Sequence, residues 1–169
     1  MTEKTTEQKQ LEALRDRIDA IDSDIGRLIS ERAKCAQEVA EVKKTNSDEA
    51  VIYYRPEREA QVLRKAMDRN EGPLGDEEMA RLFREIMSSC LALEQPIRVA
   101  YLGPEGTFTE QAAMKHFGHA AVSVPMSAID EVFREVEAGA VNYGVVPVEN
   151  STEGVVNHTL DNFMDSSAK

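Results

Sequence analysis

Apolar residues recur at helical spacing through the first forty positions. Leu11, Leu14, Ile18, Ile21, Ile25 and Leu28 step by 3, 4, 3, 4, 3, and the series resumes at Cys35, Val39 and Val42. That heptad predicts one long helix from about Glu7 to Lys44, ended by Asn46-Ser47-Asp48. The heptad position between Leu28 and Cys35 is held by Arg32. A second helix is predicted to open at Arg55-Pro56-Glu57, where proline suits a first turn, with Val62, Leu63, Ala66 and Met67 as its apolar face. Gly72-Pro73-Leu74-Gly75 breaks it. Asp76-Glu77-Glu78 opens a third helix with the stripe Met79, Leu82, Phe83, Ile86, Cys90, Leu93.

At Pro96 the texture changes. Ile97–Leu102 reads as a strand, 103–107 as a turn, and Phe108–Phe117 as a helix. Ala121–Val124 reads as a second strand, and Ser127 as the cap of a helix over Ala128–Ala138. Asn142–Val148 gives a third strand, 149–154 a loop, and Val155–Met164 another helix. Strands alternating with helices predict a parallel α/β sheet. The expected fold is therefore α followed by α/β, with a boundary at Gln95–Ile97 and domains at 1–95 and 97–169.

Charge narrows the function. The net charge is −11, with 16 basic against 21 acidic residues up to Gln95 and 4 against 10 beyond it. No basic patch suited to nucleic acid exists, so any anionic ligand is held by a few placed cations. No apolar run is long enough to span a membrane, and 1–10 lacks the apolar stretch of a signal peptide. A soluble cytoplasmic protein is expected, with Cys35 and Cys90 as buried thiols on helix faces.

The long helix supplies the candidate chemistry. Two shorter helices cannot cover the whole seam of a helix roughly 55 Å long, so a second copy is expected to cover the rest, in an intertwined homodimer. An unpaired cation in such a seam is costly, which makes Arg32 the candidate receptor of an anion. Lys43 follows eleven residues later, about 20° away in azimuth and ~16 Å along the axis, near enough to share one small ligand. Arg15 lies about 25 Å before Arg32 and can reach that ligand only from the other chain. The pattern describes a composite site for a small dianion. The first turn of the second helix adds Arg55, Arg58 and Glu59, and the end of the third adds Glu94. A non-catalytic helical dimerisation module fused to an α/β ligand-sensing lobe is the alternative.

Residues 11–95 resemble the all-helical chorismate mutase domain through three motifs: 14–22 (LRDRIDAID), 28–32 (LISER) with Val42-Lys43, and 54–59 (YRPERE). From Ile97 the chain resembles prephenate dehydratase, through 101–109 (YLGPEGTFT) and 144–154 (GVVPVENSTEG). This order is that of the bifunctional P-proteins of phenylalanine synthesis. The resemblance implies the Claisen rearrangement of chorismate to prephenate, with no cofactor, metal or covalent intermediate. It implies that Arg15 of the partner subunit and Arg32 bind the two carboxylates. Lys43 would donate to the enolpyruvyl side and the ether oxygen, and Glu59 would accept from the ring hydroxyl. The backbone N–H of Arg55 would assist, Arg58 would orient neighbouring acids, and Cys90 would make a minor contact. Glu94 stands where many members have glutamine, and donates to the ether oxygen when protonated. The dehydratase resemblance implies a periplasmic-binding-protein-like lobe, here incomplete, with Thr107, Asn150, Ser151 and Thr152 receiving carboxylates and little or no dehydratase turnover from this chain.

Overall fold

The computed structural model describes residues 5–46, 54–150 and 154–167, in two compact units divided after Asn46. The first unit is a single helix, α1, running unbroken over Thr6–Asn46. Its start lies slightly earlier than the apolar pattern indicates because Thr5 and Gln8 cap it reciprocally. The Gln8 N–H donates to Thr5 Oγ1 (3.3 Å) and the Thr5 N–H to Gln8 Oε1 (2.9 Å). Arg27 pairs with Asp24 and Glu31 one turn to either side, in support of the exposed flank.

The heptad stripe of α1 faces solvent. Leu11, Leu14, Ile18, Ile21, Ile25, Leu28, Val39 and Val42 are all exposed, from 45% for Leu11 to 63% for Val42. Cys35, expected to be buried, is exposed with them, because the stripe it belongs to is uncovered in a single chain. Cys90 is buried as expected.

The second unit begins with α2 (Pro56–Asp68) and α3 (Asp76–Glu94), which pack against each other. Proline opens α2 and Arg55 is its N-cap, its carbonyl accepting from the N–H groups of Arg58 and Glu59 (both 3.0 Å). Three parallel strands follow: β1 (Arg98–Leu102), β2 (Val122–Met126) and β3 (Tyr143–Val145), in the order β2-β1-β3. The central strand is buried on both faces, as an inner parallel strand requires. Val99 belongs to a core with Tyr54, Ile97, Ala113 and Phe117, while Ala100 joins Val132 and Val141 on the other face. Pro125 is tolerated because β2 is an edge strand.

Helices α4 (Phe108–Phe117) and α5 (Ile129–Glu137) connect the strands, and α6 (Asn157–Asp165) ends the described chain. Gly144 lets β3 lie close under α5, since a Cβ there would sit 2.6 Å from Val132 Cγ1. Two expectations need correction. The third strand stops at Val145, and the expected loop at 149–154 instead begins and ends in a short antiparallel pair, β4 (Glu149–Asn150) with β5 (Gly154–Val155). The N-cap of α5 is Ala128, not Ser127. Ser127 donates from its backbone (2.9 Å) and hydroxyl (2.6 Å) to the Glu131 carboxylate, which sits in the first turn and faces back along the chain. Helices α2 and α3 share a compact unit with the sheet.

Four residues meet closely where α3 approaches the sheet layer. Gly118 takes φ +78° and approaches Ser88 so closely that a Cβ would lie 2.6 Å from the serine Oγ. Beside it His119 reaches Glu85 twice, through its backbone N–H (3.1 Å) and Nδ1 (2.8 Å). Burial pushes the Glu85 carboxyl up, but the hydrogen bonds and charge of His119 outweigh that and hold it below the ordinary carboxylate value.

Candidate functional site

The candidate residues fall into two groups, one in each compact unit. Arg15, Arg32 and Lys43 lie on α1. At 1.5 Å per residue its rise separates Arg15 from Arg32 by about 25 Å and Arg32 from Lys43 by ~16 Å. Arg15 is exposed, whereas Arg32 and Lys43 are half-buried. Helical geometry puts Arg32 and Lys43 on one side and keeps Arg15 out of their reach within the same helix.

Arg55, Arg58 and Glu59 lie at the start of α2, with Cys90 and Glu94 four residues apart at the end of α3. One helical turn puts Cys90 and Glu94 on a common face. Cys90 is buried and Glu94 half-buried. Arg55 and Arg58 are exposed. Arg58 hydrogen-bonds Gln61 (3.5 Å), an amide one turn on. A cleft of about 590 Å³ between α2 and α3 is lined by Arg58, Val62, Lys65 and Arg69 with Met79 and Phe83. The first four share one side of α2, so this side is both basic and apolar.

Glu59 is half-buried. Its side chain is 16% exposed and pairs with Arg84 on α3, Nε to Oε1 at 3.4 Å. Tyr54 is buried next to it, and burial together with the nearby Glu59 carboxylate holds the Tyr54 phenol well above its ordinary value. Tyr54 also touches the α/β layer. Its ring meets Phe117 at 5.7 Å and Tyr143 edge-on at 5.4 Å, and its hydroxyl lies 3.5 Å from His116 Nε2. Neither Arg84 nor the Tyr54 hydroxyl is flagged by sequence periodicity. The Glu59–Arg84 pairing joins positions 25 apart on different helices, and no local spacing signals it.

Thr107 sits where expected, after β1 and before α4, but its hydroxyl is engaged. It caps α4 by accepting from the Glu110 N–H (3.5 Å), lies 3.3 Å from the Leu102 carbonyl and contacts Thr109 Oγ1 at 3.0 Å. Glu110 completes the turn by accepting from the Gly106 N–H (2.5 Å) and the Tyr101 hydroxyl (3.2 Å). Asn150 lies on β4, and Ser151 and Thr152 lie outside the described residues.

Comparison with known proteins connects these groups. Residues 14–95 match the family model for chorismate mutase type II, and residues 99–169 match that for prephenate dehydratase. A bifunctional chorismate mutase/prephenate dehydratase from Stutzerimonas stutzeri is 70% identical over 162 residues, covering 95% of this chain and 44% of that protein. The bifunctional chorismate mutase/prephenate dehydratase of Pseudomonas aeruginosa is 69% identical over 161 residues, covering 94% and 44%. A chorismate mutase structure (Form II) from Thermus thermophilus is 34% identical, covering 51% of this chain and 94% of that one, with a TM-score of 0.48. The chain spans less than half the length of the curated relatives it matches.

Proposed function

We propose that the chain is part of a bifunctional chorismate mutase/prephenate dehydratase, its residues 1–95 rearranging chorismate to prephenate in the cytoplasm and 97–169 forming part of a periplasmic-binding-protein-like dehydratase lobe. The observation that carries this reading is Arg32, set in an otherwise apolar seam within the stretch that matches chorismate mutase type II. A helix that only mediates dimerisation has no use for a guanidinium at that position.

The substrate is a dianion that reacts within itself, so the protein has only to bind, orient and stabilise charge. In our reading two copies pair through the exposed stripe of α1. Arg15 of the partner subunit and Arg32 take the two carboxylates, with Arg32 bidentate. Lys43 donates to the ether oxygen, where negative charge develops as the C–O bond breaks, and a protonated Glu94 donates there too. Glu59 accepts from the ring hydroxyl, and the Arg55 backbone N–H assists. Cys90 adds only a weak donor. No step calls for a metal or cofactor.

The test is loss of chorismate at its ultraviolet absorbance, with Arg32→Ala as control. Turnover that survives Arg32→Ala in a folded protein removes the reading. In the dehydratase stretch, Thr107, Asn150, Ser151 and Thr152 are proposed to face substrate carboxylates. No Thr-Arg-Phe triplet, the source of the catalytic threonine that the dehydratase resemblance implies, occurs in this sequence, so we expect no phenylpyruvate from prephenate with this chain alone. Its appearance would overturn that expectation.

A further inference from the structure

Two groups outside the proposed catalytic set converge on Glu59. Arg84 reaches it from α3, with its side chain 27% exposed and Glu59 16%. Tyr54 stands beside it from the segment before α2, and the Tyr54 ring is wedged against Phe117 and Tyr143 of the α/β layer. Glu59 carries two flexible torsions before its carboxylate, and an acceptor aimed at one substrate hydroxyl must have those torsions fixed. The restraint comes from outside its own helix, from α3 and from the α/β layer.

We propose that Arg84 and Tyr54 are positioning residues for Glu59, and that through Tyr54 the α/β layer sets the geometry of an acceptor used in the mutase reaction. The inference rests on the role given to Glu59 above. Arg84 holds the carboxylate by charge and Tyr54 fixes its side, leaving a free lone pair for the ring hydroxyl. Because that hydroxyl is present in both the ground state and the transition state, a misplaced Glu59 weakens binding to both alike. The loss then falls on KM and spares kcat.

Four variants of the full chain test this: Glu59→Gln, Arg84→Gln, Arg84→Lys and Tyr54→Phe, each of the last three compared with the double variant that also carries Glu59→Gln. Arg84→Gln and Tyr54→Phe are each expected to raise KM for chorismate about tenfold, with kcat nearly unchanged, as befits one charge-assisted contact. Arg84→Lys recovers part of the loss, and neither Arg84→Gln nor Tyr54→Phe adds further loss on top of Glu59→Gln. Additive losses would overturn the positioning role, as would a fall in kcat at constant KM in variants whose helix content by circular dichroism equals that of wild type. If Glu59→Gln itself leaves KM and kcat intact, the role of Glu59 falls and the positioning inference falls with it. If Glu59→Gln is impaired but Arg84→Gln and Tyr54→Phe are not, only the positioning inference falls.

Discussion

Arg32 stands in the apolar series of α1 between Leu28 and Cys35, where a packed seam would otherwise exclude a charge. Its planar fork can bind a carboxylate bidentately, which a lysine ammonium cannot. Arg32→Lys is therefore expected to cost nearly as much as Arg32→Ala, with both losing about a hundredfold or more in kcat/KM while retaining full helix content by circular dichroism. A near-wild-type Arg32→Lys would reduce the residue to a point charge. Glu94 permits a second prediction, from protonation. A carboxyl donates to the ether oxygen only in its protonated form, so turnover that uses Glu94 is highest at low pH and falls as pH rises and the proton is lost. An amide donates at every pH, so Glu94→Gln should flatten the alkaline side of the pH–rate profile. The same alkaline fall in Glu94→Gln would assign the titration to another group.

At the scale of elements, the joint between α3 and the α/β layer is tightly constrained. A side chain at Gly118 meets two obstacles: the left-handed backbone (φ +78°) and Ser88, which would lie 2.6 Å from the new Cβ through its Oγ. Gly118→Ala is expected to destabilise the fold by about 1–3 kcal/mol by urea denaturation. Ser88→Gly added to it should return the steric part and leave the backbone part. The neighbouring Glu85 carboxyl lies below its ordinary value because His119 hydrogen bonds and charge outweigh burial. A depressed carboxylate stabilises the fold above its unfolded pKa, and that contribution disappears as pH falls through the folded one. The difference in Tm between wild type and Glu85→Gln should therefore shrink as the pH is taken into and below the usual carboxylate range. These elements were legible in the sequence wherever a period or a cap specified them. The heptad marked α1, Arg55-Pro56 marked the start of α2, and the acids at 76–78 marked α3. The alternation of strand and helix after Pro96 gave the parallel sheet. What was hidden depends on meetings between distant segments: Arg84 with Glu59, Tyr54 with Phe117 and Tyr143, and Gly118 with Ser88. The burial expected for Cys35 failed for a related reason, since periodicity identifies an apolar face and says nothing about what covers it within one chain.

At the scale of the molecule, α1 decides what a single chain can do. It presents an apolar stripe from Leu11 to Val42 to solvent, an arrangement that calls for a partner surface. The same helix separates Arg15 from Arg32 by about 25 Å, too far for both to hold one small dianion within a chain. A second copy running antiparallel satisfies both conditions: its stripe covers the stripe, and its Arg15 is brought toward Arg32 and Lys43. The protein is accordingly expected to sediment as a dimer. Subunit exchange then tests the shared site. Chains carrying Arg15→Ala and chains carrying Arg32→Ala should each be nearly inactive alone. In a hybrid dimer, one pocket receives both mutations and the other receives neither, because the intact Arg32 of one chain meets the intact Arg15 of its partner. Random exchange of equal amounts makes about half of all dimers hybrid, each with one intact pocket, so turnover should return to roughly a quarter of the wild-type value. If the mixed sample stays silent while hybrids form and both variants remain folded, each pocket is built from a single chain. Arg15 then has no place in the site.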